Sequence, residues 1–132
     1  MAYLKPAAFT RHVVNPLISR LKVGHVEDLT VTGRRSGIAH HVPVVPVQVG
    51  SHRYLVAPYG VSDWVKNLRV AGEGELQGHD RPTRFRAREV PVQQRGPILD
   101  AYRQFGGRTV ERCFRALPDP ADHPVFEIEP QD

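Results

Sequence analysis

The sequence predicts a mainly β protein of the α+β class: six strands, mostly antiparallel, forming a small closed or nearly closed barrel with helices outside it. Three observations carry that expectation. The elements run helix, three strands, helix, two strands, two short helices, strand, an order that favours a barrel. The length of 132 residues, with 40% hydrophobic and 24% charged residues, suits one compact domain with a real core. Prolines stand inside the longest apolar run, at positions 43 and 46, and imply a gap in the sheet.

Taken in order, Phe9, Val13, Leu17, Ile18 and Leu21 have helical spacing and predict an amphipathic helix within residues 1–23, ended by Gly24. Its stripe packs on its own domain or lies against a membrane surface, two readings that the residues leave open. Residues 28–32 alternate with period two and stop at Gly33, and Arg34-Arg35-Ser36-Gly37 reads as a turn. The run 40–49 is β-branched and apolar on both faces; because proline cannot donate to a ladder, Pro43 and Pro46 mark an edge, a bulge or a displaced neighbour. Gly50-Ser51 turns the chain into a strand over 52–57, ended by Pro58-Tyr59-Gly60.

The clearest helix covers residues 61–71: Val61, Trp64, Val65 and Leu68 recur at helical spacing, Ser62 is a good N-cap, and Gly72 follows. Strands over 75–78 and 82–92 form a hairpin around His79-Asp80. In the second, Arg84, Arg86 and Arg88 share a parity with Val90 and Val92, so the strand bulges near Glu89 or changes the face it buries. Pro97 opens a helix that Gly106-Gly107 ends, a short helix over 110–117 stops at Pro118, and a closing strand spans 125–129.

Charge divides unevenly. The first 117 residues hold all 18 basic residues and nine acids, a net charge of +9, whereas the tail carries five acids and no base. Fifteen of the bases are arginine, whose planar fork suits phosphate and carboxylate. The single cysteine, Cys113, excludes an intramolecular disulfide and a cysteine zinc cage, and fits a reducing compartment. No apolar run approaches the roughly 20 residues of a membrane span. Lys5, Pro6, Arg11, His12 and Asn15 break up the start, so a cytoplasmic protein without a signal peptide is expected.

Nucleophile and phosphate-loop motifs fail: residues 33–37 lack the spacing of a G-x-S-x-G elbow and the lysine of a P-loop. No metal site is expected, because the adjacent His40 and His41 point to opposite faces of a strand. Two features remain. The turn Thr32-Gly33-Arg34-Arg35-Ser36-Gly37 gathers two guanidinium forks and a hydroxyl between flexible glycines, a credible anion site, although residue types alone fit an ordinary basic turn as well. The loop Pro58-Tyr59-Gly60-Val61-Ser62 enters a helix N-terminus, where free N–H groups and the dipole favour phosphate; Asp63 stabilises that same end without any ligand. Trp64 reads as a core anchor before it reads as a stacking platform.

That turn, the proline-containing strand, Val56-Ala57-Pro58-Tyr59-Gly60, Trp64-Val65-Lys66-Asn67-Leu68-Arg69 and the closing Pro124-Val125-Phe126-Glu127-Ile128-Glu129-Pro130 together resemble the deazaflavin-dependent nitroreductase family over residues 29–130. The resemblance implies a split β-barrel like that of FMN-binding oxidases and use of the deazaflavin coenzyme F-420. Arg34, Arg35, Ser36 and Gly37 would then meet the anionic tail of the coenzyme, His41, Val42, Pro43 and Val44 would supply backbone beside its ring, and Pro58, Tyr59, Gly60, Ser62, Trp64 and Asn67 would close over phosphate and ring edge. A hydride would pass from the reduced coenzyme to a small electrophile such as a quinone, enone or nitro compound, with Tyr59 or His41 as candidate catalytic proton donors.

Such a polyanion would feel the basic body over about a Debye length, ~8–10 Å. The same fold admits FMN or haem binding, or deazaflavin storage without turnover, as the alternative, in a monomer or a homodimer. A nucleic-acid module fits less well, because Phe85 falls opposite the arginine parity and no aromatic residue interleaves with the stripe.

Overall fold

In the computed structural model, which describes residues 26–78 and 81–131, alternation of Leu29 and Val31 with Asp28 and Thr30 builds β1 (Glu27–Thr32). Then follow β2 (Ala39–Val44), β3 (Val47–Val49) and β4 (His52–Val56). After a helix come β5 (Glu73–Gln77) and β6 (Thr83–Glu89), and β7 (Val125–Gln131) closes the chain. One sheet takes all seven in the order β2-β1-β5-β6-β7-β4-β3, with each neighbour pair antiparallel.

The run 40–49, expected as one strand, is therefore two, and the sheet has seven strands rather than six. Pro46 cannot supply a ladder N–H, and the halves on either side of it pair with different strands: β2 with β1, and β3 with β4. Although only Val45 and Pro46 separate them, β2 and β3 lie at opposite ends of the sheet order. So short a link holds Val44 and Val47 within roughly 11 Å, so the sheet must curl until its ends meet at an unpaired seam. This is the gap that the prolines predict, and the architecture is a split barrel. Arg53 of β4 reaches Glu27 of β1 in an ion pair that braces one end of the curl.

The first helix, α1 (Asp63–Ala71), starts after Ser62 in extended backbone and closes on Gly72, whose N–H donates to the Leu68 carbonyl at 2.8 Å. Both boundary residues agree with the sequence, but the Ser62 side chain makes no cap bond. Val65 and Leu68 drop into a cluster with Leu29, Val31, Leu76, Phe85 and Phe126 on the concave face of the sheet. Each fully buried side chain of this size contributes about 1.5–3 kcal/mol.

The second helix, α2 (Gly96–Ala116), buries Ile98, Leu99, Tyr102, Val110, Cys113 and Phe114 against Val47, Val56 and Val125 on the other face. Leu55 and Val56, like Phe126 and Val125, thus serve two cores by strand alternation. At Gly107 the backbone turns to φ 63° and ψ −151°, so the two predicted short helices are the two arms of one broken run.

β6 ends at Glu89, which settles the parity conflict without a bulge. Val90 leaves the strand to enter the second core, its N–H donating to the Val125 carbonyl at 2.7 Å, and Val92 lies exposed in a short 3-10 turn (Val92–Gln94). Arg84 and Arg86 face Glu75 and Glu73 across the ladder to β5, while Arg86 and Arg88 face Glu129 and Glu127 of β7. The stripe is thus neutralised by cross-strand acids. The predicted N-terminal helix and the His79-Asp80 turn lie outside the described residues.

Candidate functional site

One end of the barrel gathers the turn after β1, the loop after β4 and the start of α1. In the turn, Gly33 N–H donates to the Ile38 carbonyl at 2.8 Å, Gly37 N–H donates to the Gly33 carbonyl at 3.0 Å, and Ser36 Oγ accepts from Ile38 N–H at 3.1 Å. Gly37 has φ 74°, a left-handed conformation that side chains rarely adopt. At Gly33 a Cβ would stand 2.6 Å from His40 Nε2, the ring tip of an exposed side chain that can move aside.

The turn is docked on α1. Asn67 Oδ1, buried at 5% exposure, accepts from the main-chain N–H of Arg34 at 3.1 Å and from its Nη1 at 2.7 Å. Arg34 Nη2 also lies 3.5 Å from Asp63 Oδ1, at the first residue of the helix. Two side chains predicted separately for the same cofactor, Arg34 and Asn67, are therefore in direct contact. Arg35 is exposed and makes no hydrogen bond or ion pair among the described residues, and Lys66 on α1 is likewise unpaired there. Ser62 Oγ is buried without a partner among the described residues. Trp64 is half-buried, tilted against Phe126 with ring centroids 6.1 Å apart, as a core anchor would be.

The other predicted residues divide. In β2, Val42 and Val44 share the face of Leu29, whereas His41 and Pro43 share that of Thr30 and Asp28. His41 Nδ1 is 2.9 Å from Thr30 Oγ1 and 3.0 Å from Asp28 Oδ2, on the side of the sheet away from α1. Pro58 and Gly60 are buried in the loop, while Tyr59 is half-buried against the α2 cluster, close to Tyr102. Tyr59 and His41, the two proton-donor candidates, consequently belong to different surroundings.

Two supports of this end escape sequence reading. His123, fully buried, sets its imidazole between the Ala57 carbonyl at 3.0 Å and the Leu117 carbonyl at 2.6 Å, stacked on Phe114 at 4.1 Å. Glu89 holds Arg69 of α1 through two bonds of 2.9 and 2.7 Å and Arg95 through one of 3.2 Å. Arg95 donates to the carbonyls of Val90 and Pro120 as well. Burial lowers the pKa of Arg95 while the Glu89 carboxylate opposes that, and the hydrogen bonds that Arg69 donates to Glu89 raise the pKa of Arg69.

A cavity of about 420 Å³ opens at the opposite end of the barrel, between Leu76, Phe85 and Ile128, with His52, Arg53 and Glu127 at its rim. At that rim Arg53 pairs with Glu27, and His52 Nδ1 lies 3.1 Å from Glu127 Oε2. Among the described residues no group of three or more His, Cys, Asp or Glu could hold a metal ion, and no helix is long and apolar enough to cross a membrane.

Comparison with known proteins supplies the family and the fold. The model of the family described as F420H(2)-dependent quinone reductase matches residues 5–113. No curated protein matches. Among solved structures, a chain described as an F420-H2 dependent reductase is similar at 21% identity and TM-score 0.61, covering 80% of this chain and 94% of that one. A chain described as a domain-swapped dimer is similar at 21% identity and TM-score 0.62, covering 80% of each. A heme storage protein from Vibrio cholerae is similar at 15% identity and TM-score 0.59, covering 82% of each. At these identities the structures share the fold.

Proposed function

The chain belongs to the F420H(2)-dependent quinone reductase family, and we propose that its Arg34 end holds the coenzyme's anionic portion while a small electrophile, a quinone foremost, takes up the hydride. Membership makes the protein an oxidoreductase that uses coenzyme F-420. The residue assignments are our own reading, and the observation that carries them is the pair of hydrogen bonds that Arg34 donates to Asn67 Oδ1.

The residues present fit the coenzyme. A guanidinium has five N–H donors, and Asn67 and Asp63 occupy only part of Arg34, leaving donors for a phosphate. Since the main chain of Arg34 is held too, the fork is fixed before any ligand arrives, which cuts the ordering cost of binding. Arg35 and the N-terminal dipole of α1 add positive potential on the same side. Ser62 Oγ, the buried hydroxyl without a partner among the described residues, stands where the loop enters α1. When bound, the reduced deazaflavin supplies the hydride, a two-electron step that is the cofactor's own chemistry.

The protein then has to bind, orient and exclude water, so the lack of a nucleophile or acid–base dyad in the sequence is consistent with this function. Both proton-donor candidates lie off the α1 face, Tyr59 packed against the α2 cluster and His41 held by Asp28 and Thr30 on the side of β2 away from α1, so we assign the proton to neither. Titration of the protein with F-420, followed by fluorescence, tests the assignment. Arg34→Ala combined with Arg35→Ala should weaken binding more than tenfold, and unchanged affinity in that double variant would remove the anion site.

A further inference from the structure

We infer that Asp63 is a specificity residue that competes with anions for Arg34, so that this site takes a ligand with several negative charges and refuses a single compact one. The inference rests on the reading of the Arg34 end given above.

The carboxylate of Asp63 is 88% exposed, yet it is held 3.5 Å from Arg34 Nη2, whose side chain is only 20% exposed. It also stands at the first residue of α1, where free N–H groups and the helix dipole attract negative charge. Both attractions that would draw a phosphate to this place are thus partly satisfied by a group belonging to the chain. Asn67 fixes the position of the guanidinium, so Asp63 is not needed to hold Arg34 in place; its effect on the site is mainly to cancel charge.

A small monoanion meeting Arg34 loses to Asp63 much of what it gains there, and it is too short to span Arg35 and Lys66 together. A ligand that continues as a chain of carboxylates can touch Arg35 and Lys66, which pair with nothing among the described residues. Lys66 is one helical step from Asp63 on the same side of α1, so an extended polyanion can pass the acid and still collect both cations. Repulsion from Asp63 is then spread over a ligand with several favourable contacts. Discrimination between one charge and many follows from an acid placed inside a basic site.

Wild type, Asp63→Asn and Arg34→Gln test this with three probes: F-420 with its oligoglutamate tail, the deazaflavin riboside without phosphate or glutamates, and inorganic phosphate as a competitor. For Asp63→Asn we expect F-420 to bind about 2–5-fold tighter, as befits the loss of an exposed ion's repulsion. Inorganic phosphate should gain by a larger factor than F-420 does, an equal gain overturning the claim of discrimination, and the riboside should be unchanged. Asp63→Glu should behave as wild type.

An Asp63→Asn protein that binds F-420 and phosphate as wild type does, or more weakly, overturns the inference, because an acid acting only on helix stability predicts loss rather than gain. Arg34→Gln separates the two levels. If it weakens F-420 binding while Asp63→Asn changes nothing, the site stands and the role of Asp63 falls. If Arg34→Gln itself changes nothing, the site fails and the inference fails with it.

Discussion

A single carboxamide oxygen, Asn67 Oδ1, accepts from both the main chain and the guanidinium of Arg34, tying a β-turn to a helix that begins 29 residues later in the chain. Turn and helix are thereby positioned as one body, and the edge proposed to bind the coenzyme's anionic portion is set by a buried amide rather than by a loop. Asn67→Ala leaves two donors without their acceptor, which costs about 1–3 kcal/mol where such groups are shielded from water. We expect a lower midpoint in denaturant and F-420 binding more than tenfold weaker. Asn67→Asp keeps the oxygen but adds charge beside Arg34, so it should recover most of the stability and little of the binding. Equal losses of binding and stability in both variants would show that Asn67 acts on folding alone.

The three-part contact of Arg69, Glu89 and Arg95 makes a separate prediction, about cohesion. Arg95 is a cation with only 6% side-chain exposure, and Glu89 is its anionic partner. Glu89→Gln should destabilise by about 2–3 kcal/mol, less than the ~3–5 for breaking a fully buried pair, because the Glu89 side chain is 29% exposed. The same change releases α1 through Arg69, so KM for the coenzyme should rise more than kcat falls. Chemical denaturation and steady-state kinetics on the one variant check both effects, and a change in stability below ~0.5 kcal/mol would refute the linkage.

Alkaline pH probes the second core. Burial pushes the Cys113 thiol up against the opposing pull of Arg112, and burial pushes the Tyr102 phenol far up, with Cys113 and Tyr59 adding to it. Both groups stay neutral in the folded chain at pH values where the unfolded chain would ionise them. The unfolded state therefore binds fewer protons, and stability must fall with rising pH. It should be fully present below about pH 8.5, the ordinary thiol range, and decline above it, more steeply beyond ~10 where free phenols ionise. Unfolding free energies from pH 7 to 11 would show the slope. Cys113→Ala should flatten its first part, and the native thiol should resist thiol-reactive dyes at neutral pH.

Much of this was legible in the chain because the signals were local. Val61, Trp64, Val65 and Leu68 between Ser62 and Gly72 could hardly be anything but a helix on a core. Pro46 marks the seam, since a residue without an N–H interrupts a ladder, whereas Pro43 stays inside β2 because that strand lies at the edge of the sheet order. What stayed hidden was everything that depends on distance in sequence. The strand count was one short because the partners of β2 and β3 lie at opposite ends of the sheet, a fact of topology rather than pattern. Arg34 and Asn67 were each singled out as cofactor residues, but not their contact, and Asp63 was seen as a helix-end acid without its arginine. Tyr59 looked like part of one loop, yet it packs towards the opposite core, because the chain between β4 and α1 crosses from one face of the sheet to the other.

His123 makes the last case, where a buried polar side chain serves a site that it does not enter. Its ring nitrogens meet the carbonyls of Ala57 and Leu117, and Ala57 is the last residue before the loop that carries Tyr59 and Ser62. The main chain is pinned there from both sides, since Ala57 N–H also donates to the Pro124 carbonyl at 3.0 Å. His123→Phe fills nearly the same volume and keeps the stack on Phe114, so it isolates the polar role. A shielded carbonyl loses the N–H that the ring donates, and the expected cost is about 1–3 kcal/mol. The loop should loosen locally as well, seen as faster amide exchange at residues 58–62 than in the wild type under conditions where both remain folded. If exchange there is unchanged while global stability drops, His123 is a core residue only, and the loop owes its position to α1 and the Arg34 turn.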